Sequence, residues 1–160
     1  FLMTWTLSAL WVFLTTVNAI TVIVANPEKP LDLFFIIGAA VWVFGFGFEA
    51  LSDKQKKNFS SLSENKDKFI SQGLWAVSRH PNYFGEVVLW LGIAIISLPL
   101  LSDWQFLTLV SPVFVYLLIT KLSGLPFLED KADKKWGSDK EYQKYKSSTP
   151  ILVPYFGKKQ

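Results

Sequence analysis

Glu86 sits about one turn inside an apolar run, Tyr83-Phe84-Gly85-Glu86-Val87-Val88-Leu89-Trp90. A carboxylate at that depth faces protein or a wet cavity rather than lipid, and it needs a partner. On a helix, Asn82 and Tyr83 precede it by four and three residues, so amide, phenol and carboxylate can share one face. Gly85 removes a side chain beside them and lets backbone or ligand come close. An amide and a carboxylate at a helix start suit a carboxamide or a ribose; a hydrogen-bond clamp between helices is the competing reading. Just upstream stands Ser78-Arg79-His80-Pro81. Pro81 suits a first helical turn, which leaves Arg79 and His80 at the membrane surface beside the positive end of the helix, where a phosphate is favoured. An interfacial anchor on lipid headgroups accounts for the pair equally well. Glu49 and Asp53 are four apart at the end of another apolar run and precede Gln55, Lys56 and Lys57. Two acids on one helical face repel, and at a helix C-terminus they oppose the macrodipole. Such a conflict marks a functional site, although Asp53 alone could be solvated at the boundary. Farther on, Glu129 precedes Lys134, Lys135, Trp136, Tyr142 and Tyr145. Aromatic and basic residues together can hold an adenine or its phosphate, with an amphipathic helix on headgroups as the simpler account.

The elements that must carry these residues are membrane helices. Of 160 residues, 51% are hydrophobic, and the charges fall in a few stretches. A bilayer demands that separation, because a charge at mid-membrane costs about 2.5–3.5 kcal/mol. Four apolar segments, Phe1–Ala25, Leu31–Leu51, Tyr83–Leu101 and Trp104–Leu122, each approach the roughly 20 residues that cross about 30 Å of hydrocarbon. Backbone groups in lipid pair within their own segment, so these runs predict helices. The expected fold is all-α: a membrane bundle of about four transmembrane helices with a polar C-terminal helical tail. It forms a single domain over 1–160, with a cofactor-side loop at 53–82 and the tail at 123–160. Asn26-Pro27-Glu28-Lys29-Pro30 and Ser102-Asp103 make tight hairpin breaks. Pro99 and Pro112 can kink their spans. Gly38, Gly45 and Gly47 point to close helix packing. The tail reads as a polar helix from Pro126 to Lys146 broken at Gly137, ended by Thr149-Pro150, with apolar residues returning to the interface.

The loop from Asp53 to Asn82 carries six basic residues against three acidic, and the segment from Lys121 onward carries nine against five. Four spans put both on one side, in accord with the positive-inside rule, so the basic side is expected to be cytoplasmic or its equivalent. Endoplasmic reticulum, organellar and bacterial inner membranes are not distinguished. Membrane lipids are the expected surroundings; no nucleic-acid partner is expected, because anionic headgroups or a phosphate ligand account for the basic bias. With no Cys and one histidine, no metal site is expected. The chain opens at Phe1 inside an apolar run without a basic leader region, which reads as a fragment or processed start.

The ordered islands resemble the steroid 5-alpha-reductase superfamily, in particular its branch of small multi-span proteins. The resemblance rests on Gly73-Leu74-Trp75-Ala76-Val77-Ser78-Arg79-His80-Pro81-Asn82-Tyr83-Phe84-Gly85-Glu86. It extends over Glu49-Ala50-Leu51-Ser52-Asp53-Lys54-Gln55-Lys56, Ser123-Gly124-Leu125-Pro126-Phe127-Leu128-Glu129 and Lys135-Trp136-Gly137-Ser138-Asp139, and ends with Tyr142, Tyr145, Thr149 and Pro154. It implies NADPH bound between helices and loops, and hydride transfer to an activated carbon–carbon double bond of a sterol-like or other lipid. It assigns Asn82 and Glu86 to the nicotinamide side and Asp53, Arg79, Glu49, His80 and Glu129 to further cofactor contacts. The acid or phenol near the substrate comes from an N-terminal half of which this chain has little, leaving Tyr83 as the nearby candidate for catalysis. Isoprenylcysteine carboxyl methyltransferases, which use S-adenosylmethionine, share the Arg-His-Pro-x-Tyr stretch. A catalytically inactive subunit working with other membrane subunits is a third alternative.

Overall fold

A computed structural model describes residues 2–25, 31–122 and 124–157. Phe1, the Asn26–Pro30 break, Ser123 and the last three residues lie outside the described residues. Four helical segments are long and apolar enough to cross a membrane, and no strand occurs among the described residues. Helices α1 (Leu2–Ala25), α2 (Leu33–Ser61) and α3 (Pro81–Ser97) are continuous. Asp32 caps α2 by accepting from the Phe35 N–H at 2.8 Å. The fourth span changes pitch along its length. It is a tight 3₁₀ winding over Asp103–Leu109, an α-helix (α4) over Val110–Leu117, and a wider π turn over Leu118–Leu122. Pro112 lacks the N–H that an α-turn would donate to the Thr108 carbonyl, so the chain before it winds more tightly. Pro99 bends nothing; it falls in the 3₁₀ turn Leu98–Leu100 that closes α3.

The polar tail forms α5 (Leu125–Trp136) and α6 (Lys140–Ser148), parted at Gly137, with Asp139 capping α6 through the Glu141 N–H at 2.8 Å. After Pro150 the chain runs back beside 77–79. Arg79 N–H donates to the Pro150 carbonyl at 2.9 Å, Ser78 Oγ to that of Leu152 at 2.8 Å, and Tyr155 N–H to that of Val77 at 3.0 Å. Leu152 thereby joins Val115, Ile119 and Leu125 in a buried core against which Tyr83, Phe84, Val87 and Trp90 pack. The core therefore sits where α3, the fourth span and the tail meet, directly under the predicted site residues.

Two features fix the positions of α1, α2 and α3. Between α1 and the fourth span, Asn18 Nδ2 donates to Thr108 Oγ1 at 3.0 Å, a buried polar clasp inside the apolar bundle. Between α2 and α3 runs a glycine seam. A Cβ on Gly45 would stand 2.7 Å from the Gly85 carbonyl oxygen, and one on Gly38 equally close to that of Gly92. The two backbones lie in contact, antiparallel, in a way no larger residue permits. Gly47 is not part of this seam: among the described residues nothing lies within 4 Å of its Cβ position.

α2 also exceeds its apolar run. It continues past Leu51 to Ser61, so the first part of the expected 53–82 loop is helix. Its 29 residues span about 44 Å at 1.5 Å each, against about 30 Å of hydrocarbon. Its last turns stand clear of the lipid.

Candidate functional site

The glycine seam is what gathers the acids. A Cβ on Gly85 would fall 2.6 Å from the Glu49 backbone nitrogen, so Glu49 lies straight across from Gly85 and next to Glu86. One turn along α2 comes Asp53. Glu49, Glu86 and the Tyr83 hydroxyl each lie within electrostatic reach of Asp53, and Glu86 also within reach of Glu49 and Tyr83. Among the described residues none of the three carboxylates makes an ion pair or hydrogen bond. Beside them, Asn82 Oδ1 is buried and has no hydrogen-bond partner among the described residues. An orphaned buried acceptor costs free energy unless something donates to it. Phe48 and Phe84, edge to face at 5.3 Å, close the apolar side of the group. Glu49 and Asp53 do not end a helix, since α2 runs on to Ser61, so the macrodipole does not oppose them. Mutual repulsion is the conflict that remains.

A second group forms where the tail meets the loop. Pro81 opens α3 as expected, with His80 at its N-cap. Arg79 and His80, however, are not left facing an open anion site. Both turn to Glu129 on α5: the Arg79 guanidinium pairs with Oε2, and His80 Nε2 lies 2.8 Å from Oε1. One carboxylate thus serves two nitrogen donors held at the start of α3. The His80 ring stacks on Tyr83, with centroids 5.9 Å apart and planes 15° off parallel. That contact joins the second group to the first.

A cavity of about 300 Å³ opens on the far side of Arg79, His80 and Glu129. Its walls come from the overhanging end of α2, the loop, α5 and α6. Phe69, Trp75, Trp136, Tyr142 and Tyr145 supply flat apolar surface. Phe69 stacks on Tyr145 at 5.4 Å and meets Tyr142 edge-on at 5.3 Å. Hydrogen bonds fix the walls. Trp75 Nε1 donates to the Ser52 carbonyl at 3.0 Å, and Tyr145 Oη donates to that of Trp75 at 2.7 Å. Tyr142 Oη donates to Asp133 at 3.0 Å. Burial pushes both phenols well above the usual tyrosine range, and for Tyr142 the Asp133 carboxylate adds to it. Gly73, at φ +61°, turns the chain so that the Leu74 N–H meets Gln55 Oε1 at 2.9 Å, which fastens the loop to α2.

The sequence-predicted residues therefore fall into two adjoining groups rather than one. Asn82, Tyr83, Glu86, Glu49 and Asp53 gather on the seam; Arg79, His80 and Glu129 gather at the tail. Trp136, Tyr142 and Tyr145 come together as an aromatic wall. Sequence reading missed Phe59, Lys68 and Phe69, which line the same cavity. The adjacent Lys68-Phe69, a cation beside a ring, was their one visible signal.

Residues 1–149 match the profile of a family described as "Protein of unknown function (DUF1295)". The chain belongs to that family. It stands within the steroid 5-alpha-reductase superfamily. Over 124 residues it is 28% identical to 3-oxo-5-alpha-steroid 4-dehydrogenase 1 of Bos taurus, covering 78% of this chain and 43% of that protein. Over 121 residues it is 30% identical to the protein of the same name in Rattus norvegicus, covering 76% and 41%. The chain thus spans less than half the length of these curated relatives. No solved structure matches it. The match takes in both residue groups of this DUF1295 member, since residues 1–149 include everything from Glu49 to Tyr145.

Proposed function

We propose that this DUF1295 chain is a membrane-embedded, NADPH-dependent reductase of a carbon–carbon double bond in a sterol-like or other lipid. The orphaned Asn82 Oδ1, buried beside three unpaired carboxylates, carries the reading. A carboxamide NH₂ donates what that oxygen lacks, and ribose hydroxyls donate what Glu86, Glu49 and Asp53 lack. Nicotinamide riboside offers both kinds of donor on one rigid unit. When bound, NADPH supplies the hydride that an activated double bond takes up.

The chain's own residues then orient and shield. Asn82 fixes the carboxamide, and Phe48 with Phe84 keeps water from the apolar side. Tyr83 holds a proton at its phenolic oxygen next to the acids, its ring steadied by His80, which Glu129 anchors in turn. The lipid arrives from the hydrocarbon, and the charged nucleotide from the end of α2 that stands outside it. Likeness to relatives named for steroid oxidoreduction supports the class of reaction.

Titration of the purified, detergent-solubilised chain with NADPH, NADH and S-adenosylmethionine tests the reading. Saturable NADPH binding that weakens at least tenfold in Asn82→Ala is the expected result. Binding of S-adenosylmethionine alone would move the chain to the methyltransferases. Binding of none of the three, by folded protein, would make it a non-catalytic membrane subunit.

A further inference from the structure

The cations around the aromatic cavity are unequal. Arg79 pairs with Glu129 through one guanidinium nitrogen, while its buried Nε has no hydrogen-bond partner among the described residues. Lys135 pairs with Asp67 at 2.8 Å, and Lys146 with Asp133 at 2.6 Å. Lys131, which also meets no carboxylate among the described residues, lies 4.3 Å over the ring of Phe127, a residue outside the cavity lining. Two lysines of the lining differ from these. Lys56 stands 5.0 Å over the Trp75 ring and meets no carboxylate among the described residues. Lys68 has no ion pair or side-chain hydrogen bond among the described residues. Both flank flat walls, Trp75 on one side and the Phe69–Tyr145 stack on the other.

Size and position narrow the occupant. About 300 Å³ accommodates a nucleoside phosphate and is too small for a whole dinucleotide. The cavity lies on the overhang of α2, so a charged ligand need not enter hydrocarbon. Its Arg79–His80–Glu129 wall leads, through the ring contact of His80 with Tyr83, to the carboxylate group. A flat heterocycle stacked between the rings, with a phosphate ester reached by the two lysines, satisfies every one of these features.

We infer that this cavity takes the phosphorylated adenosine end of the dinucleotide, and that Lys56 and Lys68 recognise its ribose phosphate. The assignment rests on the NADPH reading for the remainder of the ligand. It makes these two lysines the residues that separate a phosphorylated from an unphosphorylated nicotinamide dinucleotide.

The probe is adenosine 2′,5′-bisphosphate, which lacks the nicotinamide half, titrated calorimetrically into the full chain in neutral detergent. Saturable binding is expected, at least tenfold weaker in Lys56→Met and in Lys68→Met and unchanged in Asn82→Ala. The same two lysine variants should bring NADPH affinity down toward that of NADH, with NADH affinity itself unaltered. If NADPH binds but the bisphosphate does not, or if both lysine variants keep their preference for NADPH, the inference falls and the reductase reading stands. If the bisphosphate binds in a lysine-dependent way while NADPH gains nothing over it and ignores Asn82→Ala, the cavity assignment stands and the reductase reading fails. A phosphate ester can also come from a lipid headgroup. Lysine-dependent binding of micelles doped with phosphatidic acid, without binding of the bisphosphate, would overturn the nucleotide assignment.

Discussion

His80 Nε2 and Glu129 Oε1 lie 2.8 Å apart, and this bond spans 49 residues of chain to hold the tail helix α5 against the start of α3. The same carboxylate neutralises Arg79, whose side chain is 13% exposed. In Glu129→Gln the guanidinium keeps its charge and loses its counter-ion. The expected cost is on the order of 2 kcal/mol, below that of a fully buried pair because some water still reaches the site. A thermal melt in detergent reads this, and α5 should become a faster target for limited proteolysis. An unchanged melt would mean the ion pair contributes nothing to docking the tail.

The glycine seam is expected to tolerate no side chain. A Cβ at Gly85 would meet the Glu49 nitrogen at 2.6 Å and the Gly45 carbonyl oxygen at 2.7 Å, both backbone atoms that cannot swing aside. Gly85→Ala and Gly45→Ala should each lose about 1–3 kcal/mol or fail to fold. Gly47→Ala, with open space around it, should melt at or slightly above the wild-type temperature. Equal losses at all three positions would show that the seam is not a specific contact.

Removal of one carboxylate from the seam group should move free and bound protein in opposite directions. Glu49, Asp53 and Glu86 repel without a ligand, so Glu49→Gln is expected to raise the melting temperature of the free chain. The gain in melting temperature on adding NADPH should shrink. Glu86→Gln replaces one acceptor oxygen with a donor and should weaken NADPH binding at least tenfold while the fold survives. Full affinity in Glu86→Gln would remove Glu86 from the site.

Tyr142 and Tyr145 should titrate late. Burial raises both hydroxyls above their unfolded value of about 10. Each group therefore favours the folded state fully below pH about 10, and that contribution is lost as pH rises past the unfolded value toward the raised folded one. Both are expected to resist ionisation, followed by tyrosinate absorbance, until the protein unfolds. Tyr142→Phe and Tyr145→Phe should each delete one late titration. Ordinary midpoints for both would show that the cavity walls are open to solvent.

The sequence announced α3 and the polar group at its start because three local signals coincide there: Pro81 as a first-turn residue, Glu86 at a depth lipid does not accept, and Asn82 and Tyr83 on the same face. The end of α2 was hidden for the opposite reason. Lys54, Lys56 and Lys57 have left the membrane, and a helix that continues into water shows no apolar run to mark it. Gly47 was grouped with Gly38 and Gly45 by composition. Helical geometry parts them, since residues 38 and 45 are seven apart and share a face while residue 47 points away. The cavity drew its walls from residues 56–80 and 128–145, and no local pattern joins segments so far apart. Glu129 lay in plain view, but nothing in the chain said that it would take both Arg79 and His80, 50 and 49 residues upstream.

α2 carries Gly45 and Glu49 in lipid and Lys56 above it on one unbroken rod. A single residue inserted between Gly45 and Lys56 would swing everything beyond it by about 100° around the axis. Lys56 would then leave the cavity, while Gly45 kept its place on α3. The interval of eleven residues is therefore a ruler that forbids length change, even at positions where it accepts substitution. Related chains that share both the seam and the cavity should keep the length of this stretch even where its sequence differs.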